Sequence, residues 1–231
     1  MTSSIQLVVF DMAGTTVKDD DGVNGVFRAV MDSEGLTITP DDGNAVMGLP
    51  KPVSIRLLLE KYNRPPDADV IERLHRRFID QMLDYYRNAG VEPIAGAEAA
   101  FEYLKKRGIA AFLDTGFSRN IADALLEKLR WRERGLIAGS VASDEVARGR
   151  PFPDMIVHAM RATGVEDPAR VAKVGDTPSD LNQGRAARCG IVVGVLSGAT
   201  PRDELLKHPH NFIIPDVSHL PAVLEGTYAG S

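Results

Sequence analysis

Four residues whose types and spacing could do chemistry frame the reading of this sequence. Asp11 closes the apolar run Leu7 to Phe10, Thr115 follows Ala110 to Leu113 and Asp114, and Asp176 follows Val171 to Val174 and Gly175. Asp180 comes four residues after Asp176, at the start of a helical pattern, and can face the same side. Carboxylates brought together repel one another unless a cation lies between them. Hard Mg2+ takes a few carboxylate oxygens and leaves the rest of its shell to water and phosphate. Any one of these acids alone would be an ordinary turn residue. The ordered set, with a hydroxyl beside it, reads as a floor for Mg2+ and a phosphate.

Such a floor needs elements that deliver its residues to one place. Short apolar runs that stop abruptly at a polar residue are the pattern of strands covered on both faces, and Ile191 to Val195 adds another run. Helical spacing separates them, with Ala97, Ala100, Phe101 and Leu104 on one face and Ile121, Ala122, Leu125, Leu126 and Leu129 on another. The alternation predicts an α/β fold, a doubly wound parallel sheet whose carboxyl strand ends converge on a ligand crevice.

Residues 17–90 break that rhythm. Val23, Val26, Phe27, Val30 and Met31, then Ile55, Leu58, Leu59 and Tyr62, then Ile71, Leu74, Phe78, Met82, Leu83 and Tyr86 recur at helical spacing. The expectation is a helical cap domain, 17–90, inserted after the first strand of a core domain made of 1–16 and 91–231. Polar stretches at Lys18 to Gly22 and Asn88 to Gly96 form its two connections, which permit hinge motion. The Asp19 to Asp21 run lacks the later bidentate Glu of an EF-hand and reads as a solvated linker. Gly226 to Ser231 reads as a fraying tail.

Composition narrows the function classes. The 231 residues carry a net charge of -5, which offers no long-range attraction to nucleic acid or anionic lipid, so any phosphate must be gripped locally. The longest nearly unbroken apolar run, Cys189 to Leu196, is far short of the roughly 18 residues a membrane helix needs. Met1 to Ser4 has no features of a secretory signal, so a cytoplasmic protein is expected. The lone Cys189 excludes an internal disulfide, and His75, His158, His208, His210 and His219 fall at no zinc-ligand spacing.

Four segments, LVVFDMAGTT at 7–16, LDTG at 113–116, GRPFPD at 149–154 and VGDTPSD at 174–180, resemble the ordered motifs of the haloacid dehalogenase (HAD) superfamily of hydrolases. The resemblance covers essentially the whole chain, cap included, and implies a HAD-like Rossmannoid core. By that resemblance Asp11 is the nucleophile that takes the phosphoryl group. Asp11, the backbone carbonyl of Ala13 and Asp176 would hold Mg2+, with Asp180 in support. Thr115 and the Gly116 amide would bind phosphate oxygens. Arg150, where the family usually has lysine, would neutralise nucleophile and phosphoryl group, and Pro151 after it favours Arg150 over Arg148. These parts suit phosphoryl transfer, which needs mainly positioning and cations on the equatorial oxygens, and a carboxylate can accept the group covalently.

Ala13 is the informative departure. Most phosphatases of the superfamily have a second Asp there, which protonates the leaving alkoxide and later activates water. Losing a positioned acid or base costs about 10²- to 10⁴-fold. The DxAGTT pattern is similar to the phosphonatase (phosphonoacetaldehyde hydrolase) branch, which cleaves a carbon-phosphorus bond and forms a Schiff base between a cap lysine and the substrate aldehyde. In MGLPK at 47–51, Met47, Gly48 and Lys51 match that branch's cap motif, whereas Ser54 replaces its histidine and Phe117 its tyrosine. The resemblance makes Met47, Gly48, Thr115, Gly116 and Phe117 the substrate-binding set.

For the Lys51 amine to attack near neutrality its pKa must fall by roughly 3 units, or 4 to 5 kcal/mol. Pro52 fits the first position of a helix, whose electropositive N-terminus supplies only about 0.3 to 1 kcal/mol. Desolvation under a closed cap and cations such as Mg2+ and Arg150 are expected to supply the rest. The expected activity is therefore a Mg2+-dependent cleavage of a small phosphonate. The alternative is a phosphate monoesterase such as a phosphoglycolate phosphatase, in which Lys51 grips a carboxylate or phosphate. A dehalogenase needs no metal, and a silent binding module needs no Asp11. The resemblance also accommodates a homodimer through the cap.

Overall fold

A computed structural model describes residues 5–88 and 90–229. The apolar runs form β1 (Leu7–Asp11), β2 (Ala110–Thr115), β4 (Val171–Gly175) and β5 (Ile191–Val195), with β3 (Gly139–Ala142) and β6 (Phe212–Ile214) at the edges. The six strands make one sheet in the order β3-β2-β1-β4-β5-β6, every pairing parallel. The edge strands escape the apolar-run reading because Gly-Ser opens one and the other has only three residues.

Both faces of β1 are covered. Val8 and Phe10 pack with Phe101 and Leu113, while Leu7 and Val9 pack with Phe112, Ile156 and Val171. A strand buried on both sides needs an unbroken apolar run, as these residues supply. The register pairs Asp11 with Asp114. The carboxyl ends of β1, β2 and β4 therefore finish level, and the residues after them share one rim.

The helices, in chain order, are α1 (Gly22–Asp32), α2 (Pro40–Ala45), α3 (Lys51–Lys61), α4 (Ala68–Asn88), α5 (Ala97–Lys106), α6 (Arg119–Leu129), α7 (Asp154–Thr163), α8 (Pro178–Ala186), α9 (Arg202–Leu205) and α10 (Leu220–Glu225). The first four lie between β1 and β2. Phe27 of α1 and Phe78 of α4 meet edge to face with centroids 5.8 Å apart, near the middle of their own apolar packing. Short α2 carries too few residues to show periodicity, but Thr39 and Asp42 give it a capping box.

Val17 is buried and bridges both Ala13 and Pro93, and the exposed connection begins at Lys18. One expectation at the end of the chain changes. Gly226 to Tyr228 does not fray, because the Thr227 and Tyr228 amides donate to Ala222 O and the Tyr228 ring packs on Phe212 at 6.3 Å. An aromatic side chain with a place to dock overrides the tendency of a terminus. Met1 to Ser4 and the last two residues lie outside the described residues. Among the described residues, no helix is long and apolar enough to cross a membrane.

Candidate active site

The rim of the sheet and the loop before α3 line one partly open cavity. Asp11, Ala13, Thr115, Gly116, Phe117, Arg150 and Asp176 line it from the sheet side, and Met47, Gly48 and Lys51 from the helical insertion. Asp180 is not on the wall; it lies fully buried beneath the floor. Every residue singled out from the sequence thus belongs to one site, with Asp180 behind it.

Local backbone chemistry holds the floor. After β1 the chain turns back through Val17 N to Met12 O, and the Thr16 hydroxyl donates to Asp11 O at 2.8 Å. Gly14 has φ +84°, and a Cβ there would come 2.8 Å from a carboxylate oxygen of Asp176. Glycine is needed both for that dihedral and for the close approach. Asp176 itself accepts from the Thr15 hydroxyl at 3.0 Å and from the Ala199 amide at 3.2 Å, which fixes it beside Asp11. Asp180 completes a capping box with Thr177 at the start of α8, using one oxygen. Its other oxygen faces Arg150 Nη1 at 3.1 Å and Lys173 Nζ at 2.9 Å.

The floor is a buried charge cluster larger than the motifs indicate. Arg150 donates to Asp11 at 2.7 Å and to the backbone carbonyl of Asp114 at 2.9 Å, and both Arg150 and Lys173 reach one oxygen of the Asp114 carboxylate. Arg148 instead lies at the surface, paired with Asp154 and stacked 4.6 Å from the Phe152 ring centroid. Lys173 and Asp114 were legible in principle. A lysine in the middle of a strand covered on both faces must find a buried acid, and Asp114 is the strand-end acid directly beside the neighbouring Thr115.

Four buried carboxylates, Asp11, Asp114, Asp176 and Asp180, face two buried cations, Arg150 and Lys173. With all six groups ionised, the excess is two negative charges. Oxygens of Asp11, Asp176 and Asp180 lie within 4.8 Å of one another. Burial, opposed chiefly by Arg150, pushes Asp11 up to about 6. Burial together with the charges of Asp11 and Asp180 holds Asp176 well above the usual carboxylate range. Asp180 is buried too, yet Arg150 and Lys173 keep it below that range. An all-oxygen donor set carrying two uncompensated negative charges fits a hard divalent cation. The residues that would hold it are Asp11 and Asp176 on the wall, with Asp180 behind them.

The opposite wall is built differently. Helix α3 begins at Lys51, with Pro50 as its N-cap and Pro52 at the second position, so Lys51 itself occupies the first turn. Its side chain is only 4% exposed, and Nζ lies 5.1 Å from the Phe27 centroid, 5.3 Å from Phe78 and 3.8 Å from Met47 Sδ. Burial lowers its pKa to about 8, against the opposing pull of Asp19 and Asp11. Desolvation is thus the anticipated cause that acts here, and the charges that bear on the amine in this structure are acidic. Ser54 donates to Val46 O at 3.0 Å and so secures the turn before α3. Phe117 packs edge to face on Tyr86 at 6.3 Å.

Glycines let the two walls close. A Cβ on Gly116 would lie 2.9 Å from Gly48 O, and one on Gly48, at φ +75°, would meet the Thr177 and Ser179 hydroxyls at 2.4 Å. The linker expectation also changes for one residue. Asp20 and Asp21 are exposed, but Asp19 is half-buried and lines the cavity, because its Oδ1 accepts from the Val23 amide at the start of α1.

The model of the haloacid dehalogenase-like hydrolase family matches residues 5–188. A phosphonoacetaldehyde hydrolase of Bacillus cereus is 32% identical over 212 residues, which cover 85% of this chain and 77% of that protein. Among solved structures, a phosphonoacetaldehyde hydrolase-like protein from Oleispira antarctica superposes with a TM-score of 0.85 at 23% identity, covering 98% of this chain and 93% of that one. A hydrolase from Pseudomonas syringae superposes with a TM-score of 0.84 at 19% identity, over 97% of this chain and 100% of that one. These two share the fold. With four motifs meeting at one rim and a family match over most of its length, this chain belongs to the haloacid dehalogenase-like hydrolases.

Proposed function

We propose that this hydrolase cleaves the carbon-phosphorus bond of a small phosphonate aldehyde, with phosphonoacetaldehyde as the reference substrate, using Asp11 as nucleophile and Mg2+ as cofactor. The observation that carries the reading is Lys51, a desolvated amine with a pKa lowered to about 8 that lines the same cavity as Asp11. A residue that only gripped an anion would gain nothing from losing its charge so near neutrality. Ala13 supports the same reading, since the usual acid for an alkoxide leaving group is missing.

In this scheme the neutral Lys51 amine attacks the aldehyde carbon, one proton is taken up and water leaves, giving a protonated imine. Asp11 then attacks phosphorus, and the electron pair of the carbon-phosphorus bond moves into the iminium, so the carbon departs as an enamine. The enamine takes a proton at carbon, and hydrolysis releases acetaldehyde and Lys51. Water then hydrolyses the aspartyl phosphate. Thr115, whose oxygen accepts from the Phe117 amide at 3.1 Å, has its hydroxyl proton left for a phosphoryl oxygen. Arg150 spreads its charge between Asp11 and the incoming oxygens. Bound Mg2+ would supply further positive charge on those oxygens.

A second reading, a phosphate monoesterase of the phosphoglycolate phosphatase kind, is favoured by one observation: Ser54 is committed to the backbone and offers no imidazole near Lys51. Incubating the enzyme with Mg2+ and either phosphonoacetaldehyde or phosphoglycolate separates the two. Phosphate and acetaldehyde in equal amounts from the first support our proposal; phosphate from the second alone refutes it. We assign this activity to the cytoplasm.

A further inference from the structure

Forming an imine needs a group that takes a proton from the amine and later gives one to the departing hydroxyl. The titratable residues on the cavity wall are Asp11, Asp19, Lys51, Arg150 and Asp176. Asp11 is the nucleophile, Asp176 belongs to the charged floor, and arginine does not release its proton. His75, on α4, does not line the cavity. Asp19 is left, and it stands on the first connection between the sheet and the helical insertion.

Its placement suits proton transfer. The Val23 amide holds Oδ1 at 3.0 Å, anchoring the carboxyl to the start of α1. Burial raises its pKa, the Val23 and Gly22 amides draw it down, and the Lys51 ammonium does so to a smaller extent, so carboxyl and amine feel each other across the cavity they both line. The Tyr86 hydroxyl, buried without a hydrogen-bond partner, also lies within the field of Asp19.

We propose that Asp19 is the proton carrier of the Lys51 amine, an inference that rests on the phosphonate aldehyde reading above. The Asp19 carboxylate takes a proton from the Lys51 ammonium, and the freed amine adds to the aldehyde to give a carbinolamine. The protonated Asp19 returns that proton to the carbinolamine hydroxyl. The carbon-oxygen bond breaks with its electron pair on oxygen, and water leaves. The nitrogen lone pair forms the carbon-nitrogen double bond, and Asp19 is again a carboxylate beside an iminium. No oxidant, reductant or further co-reactant enters.

Timed quenching with sodium borohydride, with the Lys51 adduct of phosphonoacetaldehyde read by mass spectrometry, tests the role. Asp19→Asn keeps an oxygen for the Val23 amide, and its adduct is expected to accumulate about 10²- to 10³-fold more slowly than that of the native enzyme. Asp19→Ala is expected to be equally slow and to recover at least about tenfold with added formate, which restores a carboxylate to the space left. Asp19→Glu retains a carboxyl and keeps the rate within about tenfold of native. Native rates in the Asn and Ala variants, or slow variants that formate does not rescue, overturn the inference while leaving the Schiff base intact. No adduct in the native enzyme overturns the Schiff base itself, and the role of Asp19 with it.

Discussion

Replacing Lys51 with methionine removes the amine and should make the protein more stable near neutrality. The folded-state pKa of about 8 lies below the ordinary lysine value of 10.5. Between those values the unfolded chain binds more protons than the folded one, so native stability rises with pH through that window. Below it, burying the charge costs about 3 kcal/mol; at pH 9 the cost is about 2, and near pH 10.5 it falls under about 1. Methionine carries no such cost and sits well against the Phe27 and Phe78 rings that now flank the ammonium. The lost cation-π attraction offsets about 1 kcal/mol, leaving a net gain of about 2 kcal/mol at pH 7. For a chain of this length that raises Tm by roughly 5 °C. Calorimetry of both proteins in EDTA at pH 7, 9 and 10.5 measures the gap. An equal or lower Tm for Lys51→Met at pH 7, or a gap that does not shrink with pH, refutes the argument that the amine is desolvated in order to react. The same variant should release no acetaldehyde from phosphonoacetaldehyde.

Asp11→Asn should lower phosphate release by at least about 10³-fold, without lowering Tm, since it removes a charge from an overcharged floor; native-like turnover would dismiss the nucleophile. Because the metal-free Asp11 titrates near 6, the floor gains the Asp11 charge, and sheds stability, as pH rises from about 4 past 6. The Tm difference between Mg2+ and EDTA should therefore be small at pH 5 and grow by pH 7.5, and a flat difference would contradict the charge count. Gly48→Ala forces a side chain into positive φ and against two hydroxyls, so it should hold the walls apart and cost at least about tenfold in kcat/KM; unchanged kinetics would show that the loop need not come this close.

How far the site could be read from sequence depended on whether a residue announces itself by type. Asp11, Thr115 and Asp176 sit where apolar runs stop, and parallel strands of similar length finish at one rim, so their meeting follows from pattern. Lys173 was hidden inside such a run, and its two acid partners come from β2 and α8, far apart in the chain. Asp19 sits in a run of three acids that looks uniform, and only the turn into α1 separates the one facing the cavity from the two facing water. Likewise GSVA at 139–142 pairs as a strand because β2 stands beside it, not because of its own composition.

Order, spacing and residue type along the chain were enough to determine the parallel α/β sheet, the helical insertion and the motif residues, because burial on two faces imposes a periodicity that local sequence must carry. Tertiary structure alone decided the electrical state of those residues. Desolvation and distance are properties of the assembled site, so the lowered pKa of Lys51, the two unbalanced negative charges of the floor and the selection of Asp19 from its neighbours exist only once separate segments are packed together.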